Sequence, residues 1–333
     1  MPDGAGLQHS TARIKSNVHA CGMAGSMALI AHAHRSDDRW GRGRADGQRA
    51  ASSTTGQGVI MTSLRSLAAG AAIVVLSAGL ALAQENTPDD PRLFEPGKLT
   101  VSTSDPAYPP WVLDNDPASG QGFEAALVYA LAAELGFAPE DVVWVDETFE
   151  AAIAPGRKNY DFSIQQISVT AERSEVATFS QVYYQPEKAV IALTDSPVGE
   201  ATSFADLREA RWGVAIGTTD LDYVENVLGI GNAAVYNDQV AVFLAMQAGQ
   251  IDATVTALPT ALYVTAVQVE GTSIVAILPP DEHDQGFGLL FEYGNPIVEW
   301  IDAGLTALKE AGTIDALIAE WLISDLDAPV IAE

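Results

Sequence analysis

Cysteine and histidine are scarce in this 333-residue chain. Its single cysteine is Cys21, and four of its five histidines lie within the first 60 residues, which leaves only His283 beyond them. A zinc site needs several His or Cys ligands, and a Ser-His-Asp hydrolase needs a histidine beside a strained nucleophile turn. His283 lies in the charged segment Asp281–Asp284, which favours a solvated loop. The sequence therefore predicts no metal site and no catalytic residues of these classes.

Phosphate-binding loops are also missing. The chain has no Gly-Lys-Ser or Gly-Lys-Thr sequence, and Gly286-Phe287-Gly288 lacks the rest of a dinucleotide-binding fingerprint. We therefore expect no nucleotide cofactor, and no cofactor of another kind is indicated.

Positive charge is in short supply. The chain has 17 Lys and Arg against 44 Asp and Glu, a formal net charge of −27. Nucleic acids and anionic membrane surfaces attract basic proteins, so both are poor partners for this chain. The acidity favours solubility. No segment indicates an oligomer, and we expect a monomer.

Long hydrophobic runs are absent except for one, from Leu67 to Leu80, which follows Arg65. This run is shorter than the roughly 20 residues of a membrane-spanning helix. The small residues Ala81-Leu82-Ala83 follow it, a pattern typical of a cleaved secretory signal peptide, although a membrane anchor is the alternative. We predict a signal peptide over residues 61–83, translation from Met61, and a disordered upstream extension over residues 1–60 that is not part of the fold.

Cleavage after Ala83 would leave a chain without cysteine, which can form no disulfide and carry no lipid on a cysteine. Such a chain fits free diffusion in the periplasm. Residues 84–98 are rich in proline and acidic side chains, and this composition predicts a disordered leader.

Beyond this leader, short β-rich runs alternate with helical patterns, which favours an α/β fold with parallel strands. The predicted helices include Phe123–Leu135, Val240–Ala248, Leu258–Val267, Ile297–Leu308 and Thr313–Leu322. The predicted strands are Leu99–Thr103, Val142–Val145, Phe162–Ile167, Ala189–Leu193, Trp212–Ile216, Ala233–Tyr236, Ala253–Thr256 and Ser273–Leu278.

Two polar segments follow predicted strands. The first leads from Ser168 to Arg173, whose guanidinium offers paired donors that match a carboxylate. A surface arginine that pairs with Glu172 or Glu175 is the alternative. The second is Gly217–Asp220, where free amides and hydroxyls at a helix start favour an anion, or where Thr218 or Thr219 only caps the helix. Together they indicate a binding site for a small carboxylate.

Taken in order, the segments of this chain resemble the extracellular solute-binding proteins of the polar amino-acid uptake family, which serve ABC importers. The resemblance extends from Leu99 to Trp321. It lies in the ordered set Leu99–Ser102, Asp105–Trp111, Gly122–Glu124, Tyr160–Asp161, Ser168–Arg173, Phe179–Ser180, Tyr183–Tyr184, Gly217–Thr219, Ala248–Ala253, Ala311–Thr313 and Trp321.

The resemblance implies a two-lobe, type II periplasmic-binding-protein-like fold with mixed, mostly parallel sheets and a hinge between the lobes. Lobe 1 would comprise residues 99–187 and 286–333, and lobe 2 residues 188–285. The hinges would lie near Gln185–Lys188 and Asp284–Gly288. The implied function is capture of an amino acid or related small carboxylate between closing lobes and its delivery to a membrane permease.

The family resemblance also implies the site residues. Arg173 would hold the ligand carboxylate with help from Gly217, Thr218 and Thr219, while Ser168 and the carbonyl of Gln166 would meet nearby polar groups. Aromatic and polar side chains would line the rest of the site, with core packing as the alternative for two of them, Trp111 and Phe149. The full set of candidates is Asp105, Tyr108, Trp111, Phe149, Gln166, Ser168, Arg173, Gly217, Thr218, Thr219, Asp220 and Thr256.

One position departs from the family pattern. Amino-acid binders of the family commonly carry an aspartate for the ligand ammonium where this chain has Ala257, and an ammonium buried without a counter-charge is costly. Either the ligand has no amine there, or Asp220 or Asp105 substitutes. The bulky Gln165 and Gln166 also indicate a remodelled pocket.

Two further functions use the same fold. One is a dehydratase acting on cyclic acids, which resembles this family and would need an acid in the cleft. The other is a sensing or accessory periplasmic protein. We expect a binding protein rather than an enzyme.

Overall fold

A computed structural model describes residues 86–322 of the chain. The predicted extension over residues 1–60 and the predicted signal peptide over 61–83 lie outside the described residues, as does the end of the chain from residue 323. None of the helices between residues 86 and 322 is long and apolar enough to cross a membrane.

Strands and helices alternate along the described chain. The strands are β1 (Leu99–Thr103), β2 (Val142–Asp146), β3 (Phe162–Ser163), β4 (Ala177–Tyr184), β5 (Lys188–Leu193), β6 (Gly213–Ala215), β7 (Ala234–Tyr236), β8 (Ala253–Ala257), β9 (Thr272–Ile277) and β10 (Phe287–Glu292). The α-helices are α1 (Phe123–Glu134), α2 (Phe149–Ile153), α3 (Ala171–Ser174), α4 (Phe204–Leu207), α5 (Thr219–Asp222), α6 (Gln239–Gln247), α7 (Leu258–Tyr263), α8 (Val298–Glu310) and α9 (Thr313–Trp321).

A five-stranded sheet in the order β2-β1-β3-β10-β4 organises what we call lobe 1. Strands β1, β2 and β3 run parallel, whereas β10 is antiparallel to both of its neighbours. Helices α1 and α8 bury leucine and isoleucine side chains against β1 in one hydrophobic core, which includes Leu99, Leu127, Leu131, Ile301 and Leu305. Burial of these side chains is the main driving force for the folding of lobe 1.

The start of α1 depends on a glycine. Gly122 has φ +100°, and a Cβ atom there would lie 2.5 Å from the carbonyl oxygen of Trp111. A residue with a side chain would suffer both the backbone strain and this clash. The close approach fixes α1 against the segment that carries Tyr108 and Trp111.

Lobe 2 contains a three-stranded antiparallel sheet, β8-β5-β9, and the parallel pair β6-β7. Side chains of β5 alternate between two hydrophobic cores, with Val190 and Ala192 in one and Ala189 and Ile191 in the other. This alternation is expected for a strand buried on both faces. A parallel bridge between Trp212 and Ala253 connects the two sheets.

The mixed α/β character agrees with the prediction, but parallel pairings do not predominate. Within residues 86–322, three strand pairs are parallel and four are antiparallel. All four antiparallel pairs involve β5 or β10, the strands next to the two hinge segments. Each of these strands runs antiparallel to both of its neighbours. The predicted lobe boundaries at residues 187/188 and 285/286 stay predictions.

Two local predictions were wrong. The strand predicted over Phe162–Ile167 has only the two residues Phe162–Ser163, because the chain leaves the sheet before Gln166, where φ is +55°. The leader predicted as disordered is folded from Asn86 onward. Leu93 is buried in the core of lobe 1, and the Phe94 amide donates to the Asp161 carboxylate over 2.7 Å.

Candidate functional site

A cavity of about 460 Å³ lies between the two lobes. This volume suits a small metabolite. Ten of the twelve predicted site residues line it, namely Asp105, Tyr108, Phe149, Gln166, Ser168, Arg173, Thr218, Thr219, Asp220 and Thr256. The structure therefore brings together residues that the sequence separates by up to 151 positions.

Arg173 reaches both lobes from the short helix α3. The Thr170 hydroxyl caps this helix by accepting from the Arg173 amide over 3.2 Å. The guanidinium is buried and donates through Nη1 to the Ser168 carbonyl over 2.7 Å and through Nη2 to the Gly217 carbonyl over 2.8 Å. It also lies 5.4 Å from the ring centroid of Phe149, within cation–π range.

These bonds bear on the surface-arginine interpretation of Arg173, whereas its role in holding a carboxylate stays a prediction. The guanidinium donates to carbonyl oxygens at the cavity and forms no ion pair with Glu172 or Glu175 among the described contacts. Burial lowers the pKa of Arg173, and nearby acids, foremost Asp284, oppose this effect. An arginine stays protonated at any physiological pH, so the cavity holds a fixed cation that donates two of its five N–H groups to carbonyls within residues 86–322.

The opposite wall is the segment before and within α5. The Thr218 hydroxyl accepts from the Leu221 amide over 3.2 Å and donates to the Ala215 carbonyl over 2.8 Å, so Thr218 is the helix cap. Thr219 does not cap the helix, and its hydroxyl contacts Lys188 and Asp284 in the hinge segments. The capping alternative thus describes Thr218, while Thr219 lines the cavity and its role in binding stays a prediction.

A buried polar cluster joins both lobes to the hinge. The hydroxyl groups of Ser168 and Thr219 lie 3.2 Å apart, and each donates to Asp284 Oδ2, over 2.9 Å and 2.8 Å respectively. The Lys188 ammonium lies 3.0 Å from Thr219 Oγ1, 2.9 Å from Asp220 Oδ1 and 3.1 Å from Asp284 Oδ2. We call Ser168, Lys188, Thr219, Asp220 and Asp284 the hinge cluster.

The hinge cluster holds its charges firmly. Burial lowers the pKa of Lys188, but Asp220 and Asp284 outweigh that effect and raise it above its ordinary value. Burial alone would raise the pKa of Asp284, but the Lys188 charge, the Gly286 amide and the hydroxyl donors outweigh burial and lower the pKa below its ordinary value. Both groups are therefore charged at neutral pH.

Sequence reasoning missed Lys188 and Asp284 as site residues. Both lie in the predicted hinges, but the prediction gave those segments only a mechanical role. The available signal was a lysine at the head of an apolar strand, Lys188-Ala189-Val190-Ile191, because a charge that enters a core needs a partner.

The backbone that carries Ser168 is fixed by the second hinge segment. Amide groups of Val169 and Gly288 donate to the carbonyls of Gly286 and Ile167 over 2.8 Å and 3.0 Å. Ser168 itself bridges to Phe287. The backbone of Ser168 is thus held by a ladder of hydrogen bonds, and its hydroxyl donates to Asp284.

Gln166 is held in a left-handed conformation by a buried acid. Its amide and its side-chain Nε2 donate to the two carboxylate oxygens of Glu124, over 2.8 Å and 2.5 Å. The Tyr183 hydroxyl donates to the same carboxylate. Burial raises the pKa of Glu124 to about 7, although these three donors oppose the shift. Glu124 therefore positions Gln166 at the cavity wall.

Two predicted residues do not line the cavity. Trp111 is fully buried in the core of lobe 1, and its Nε1 donates to the Thr260 hydroxyl in lobe 2 over 2.8 Å. The core alternative therefore describes Trp111, and Thr260 lines the cavity in its place. Gly217 contributes only its carbonyl, as the acceptor for Arg173.

The aromatic and acidic walls are as follows. Tyr108 packs its ring 5.6 Å from that of Phe243, and its hydroxyl donates to Gln268. Asp105 accepts from Asn115 Nδ2 over 2.8 Å and is exposed. The other acids that line the cavity are Glu150, Asp220 and Asp238. No group of three or more His, Cys, Asp or Glu residues within residues 86–322 has the geometry of a metal site.

Comparisons with known proteins give a consistent result. The family model of the bacterial extracellular solute-binding proteins, family 3, matches residues 99–324. The ABC transporter arginine-binding protein 1 of Escherichia coli (strain K12) is 25% identical over 218 residues, which cover 64% of this chain and 86% of that protein.

Solved structures agree. An ancestral arginine-binding protein bound to arginine is 27% identical with a TM-score of 0.57, over 68% of this chain and 98% of that one. An ancestral amino acid-binding protein, a precursor of cyclohexadienyl dehydratase, is 26% identical with a TM-score of 0.57, over 68% of this chain and 96% of that one. The two-lobe, type II fold predicted from the sequence is confirmed by these similarities.

Proposed function

Since this chain belongs to the bacterial extracellular solute-binding proteins of family 3, we propose that its interlobe cavity captures a small carboxylate, an amino acid or a relative of one. The chain is a substrate-binding protein of an amino-acid ABC transporter, as its homologues and structural neighbours are. A membrane permease of that transporter is the partner that receives the ligand, and the mature protein acts as a monomer in the periplasm.

The observation that carries this proposal is the position of Arg173. A buried guanidinium that lines a cavity between two lobes, and that has five N–H donors, is suited to a carboxylate. Arg173 lies on lobe 1 and Gly217 on lobe 2. The hydrogen bond from the Arg173 guanidinium to the Gly217 carbonyl therefore forms only when the lobes approach each other. A ligand that bridges both walls would therefore favour the closed state over an open one.

The ligands of related structures support the amino-acid class. One ancestral arginine-binding protein was solved with arginine and another with glutamine. The aromatic rings of Tyr108 and Phe149 give this cavity apolar surface for the body of such a ligand.

An enzyme on the same scaffold is the second candidate, because one similar structure is a precursor of cyclohexadienyl dehydratase. A dehydratase needs an acid free to donate a proton to the hydroxyl group that leaves as water. Asp220 is engaged by Lys188, which leaves the exposed Asp105, Glu150 and Asp238 as cavity acids. We propose that the protein is not an enzyme.

Mass spectrometry of the small molecules released from the purified protein on denaturation tests the function directly. We expect a stoichiometric carboxylate that, when added back, raises the melting temperature of ligand-free protein. Incubation with prephenate or arogenate should give no aromatic product. Absence of any bound or stabilising carboxylate would refute the proposal, and aromatic product would establish the enzyme instead.

A further inference from the structure

The hinge cluster carries two carboxylates against one ammonium, and one of its carboxylate oxygens has no partner within residues 86–322. We infer that this oxygen, Asp220 Oδ2, receives the ammonium of an amino-acid ligand while Asp220 Oδ1 stays on Lys188. The inference rests on the proposed function, because it assigns the second charged group of the ligand that the Arg173 cavity captures.

Asp284 has no acceptor site to spare for a ligand. Its Oδ2 lies 3.1 Å from the Lys188 ammonium and accepts from the hydroxyls of Ser168 and Thr219 over 2.9 Å and 2.8 Å. Its Oδ1 accepts from the Gly286 amide over 2.9 Å. A carboxylate has about four lone-pair sites, so these donors fill them. Asp284 therefore serves the hinge and not the ligand.

Asp220 is held in place by one oxygen only. Its Oδ1 lies 2.9 Å from Lys188 Nζ, whereas its Oδ2 accepts from no donor within residues 86–322 and is not sealed off from solvent. The side chain is 17% exposed and lines the cavity. Lys188 is itself fixed, because Thr219 Oγ1 and Asp284 Oδ2 accept its other two donors. The lysine thus anchors a carboxylate whose second oxygen is available to a ligand.

Three other acids line the cavity but suit an ammonium less well. Asp105, Glu150 and Asp238 are all exposed. Water and salt screen charges at such positions, and exposed ion pairs contribute little. Asp220 is the one acid lining this cavity that is not exposed, so its attraction for a cation is the least screened.

Asp220 also lies close to the proposed carboxylate position. Arg173 Nη2 donates to the carbonyl of Gly217, three residues before Asp220, over 2.8 Å. The negative charge of Asp220 is near enough to oppose the effect of burial on the pKa of Arg173. The carboxylate and ammonium of an α-amino acid are joined through a single carbon. A ligand held by Arg173 would therefore carry its ammonium toward the wall that contains Asp220.

The strand register explains why an acid from α5 is needed. Lys188 on β5 is the direct cross-strand partner of Ala257 on β8, and such partners place their side chains on the same face within about 5.5 Å. Both residues line the cavity, but Ala257 has no polar side-chain atom. The strand that faces Lys188 offers no acceptor at this position, and Asp220 brings a carboxylate to it from α5.

The charges of the site favour a zwitterion. Arg173 and Lys188 carry two positive charges, and Asp220 and Asp284 carry two negative ones, so the four sum to zero before a ligand enters. An amino acid adds one charge of each sign and preserves this balance. A carboxylate without an amine would leave one negative charge unbalanced among buried groups, which is costly.

Matched ligands test the inference. A thermal-shift panel of the standard amino acids and their 2-hydroxy analogues would select the ligands that bind, and calorimetric titration of ligand-free protein would compare each pair. We expect the amino acid to bind about tenfold or more tightly than its analogue. Analogues that bind as tightly as their amino acids would overturn the inference while leaving capture of a small carboxylate intact. Binding by neither series would refute both.

Asp220→Asn removes the charge and keeps the shape of the side chain. Its affinity for the amino acid should fall by about tenfold or more, whereas its affinity for the 2-hydroxy analogue should not fall. Asp195→Asn is the matched control, because Asp195 is an exposed aspartate that does not line the cavity, and it should bind both ligands like the original protein. An equal loss of both ligands in Asp220→Asn would show that Asp220 only anchors Lys188, and would overturn the inference.

A double variant, Asp220→Asn with Ala257→Asp, moves the carboxylate to the facing strand without changing the charge of the site. It should recover the preference for the amino acid, which a general loss of structure would not do. The double variant also serves if Asp220→Asn does not fold, because Lys188 keeps a second acidic neighbour. A folded double variant that binds the amino acid no more tightly than its analogue would overturn the inference.

Discussion

Replacement of Arg173 by methionine should abolish most ligand binding. Methionine preserves much of the side-chain volume but removes the buried cation that donates to Ser168 and Gly217. Removing one partner of a buried charged pair costs about 3–5 kcal/mol. Each 1.4 kcal/mol is a tenfold change in affinity, so the dissociation constant should rise by about 10²- to 4 × 10³-fold.

Replacement of Arg173 by lysine tests the geometry of the guanidinium apart from its charge. The Arg173→Lys variant would retain the positive charge but lose the planar fork that serves a carboxylate with two parallel bonds. The loss of one hydrogen bond to a charged group is about 1.5–3 kcal/mol, or roughly 10- to 100-fold in affinity. This variant should therefore bind more weakly than the original protein and more tightly than Arg173→Met.

Calorimetric titration with the carboxylate recovered from the purified protein measures both effects. Arg211→Met is the matched control, because that arginine is 59% exposed and pairs with Asp252 outside the cavity. Its affinity should equal that of the original protein. A folded Arg173→Met variant that binds within threefold of the original would refute the assignment of Arg173 to the carboxylate.

Three further predictions concern stability. Gly122→Ala should lower the free energy of unfolding in urea by about 2–5 kcal/mol, because its Cβ would meet the Trp111 carbonyl, whereas Gly97→Ala, at φ +92° but in open space, should lose less. The pKa of Glu124 is about 7 in the fold against 4.5 ordinarily, so the protonated native state is favoured. Stability should fall by about 3 kcal/mol between about pH 4.5 and 7, and Glu124→Gln should remove this slope; a slope that persists in the variant would contradict the assignment. Thr260→Val leaves Trp111 Nε1 without an acceptor and should lower the melting temperature through a loss of about 1–3 kcal/mol, whereas an unchanged value would show that water replaces the hydroxyl.

Much of the fold follows from local pattern. The strands Leu99–Thr103 and Ala189–Leu193 were predicted within one residue, because buried β-rich runs are read directly from the chain. The strand predicted to reach Ile167 was too long because Gln166 satisfies its amide with the Glu124 carboxylate and not with a neighbouring strand. That partner lies 42 residues away, and nothing local to Gln166 indicates it.

The candidate site also contains some residues that the sequence identified and others that it did not. Arg173 and Thr219, both named as candidates from the sequence, line the cavity. Each lies in a short helix whose capping residue, Thr170 or Thr218, is adjacent in sequence, which is the part of their setting that the sequence reveals. The sequence pattern missed Lys188 because the acids that make a buried lysine tolerable are brought together only by the hinge. The family resemblance made Trp111 a candidate beside Tyr108 with core packing as the alternative, and the structure places its ring in the core of lobe 1.

The position of β10 also determines the order in which lobe 1 can be assembled. This strand lies between β3 and β4, with Leu290 opposite Ser163 and Phe287 opposite Tyr184. During synthesis from the amino terminus, β4 therefore has no sheet partner until the whole of lobe 2 has been made. Closing pairings so distant in sequence is entropically slow. A half-made chain would thus carry an unpaired apolar edge, which keeps it open to extended-chain partners until its last strands arrive.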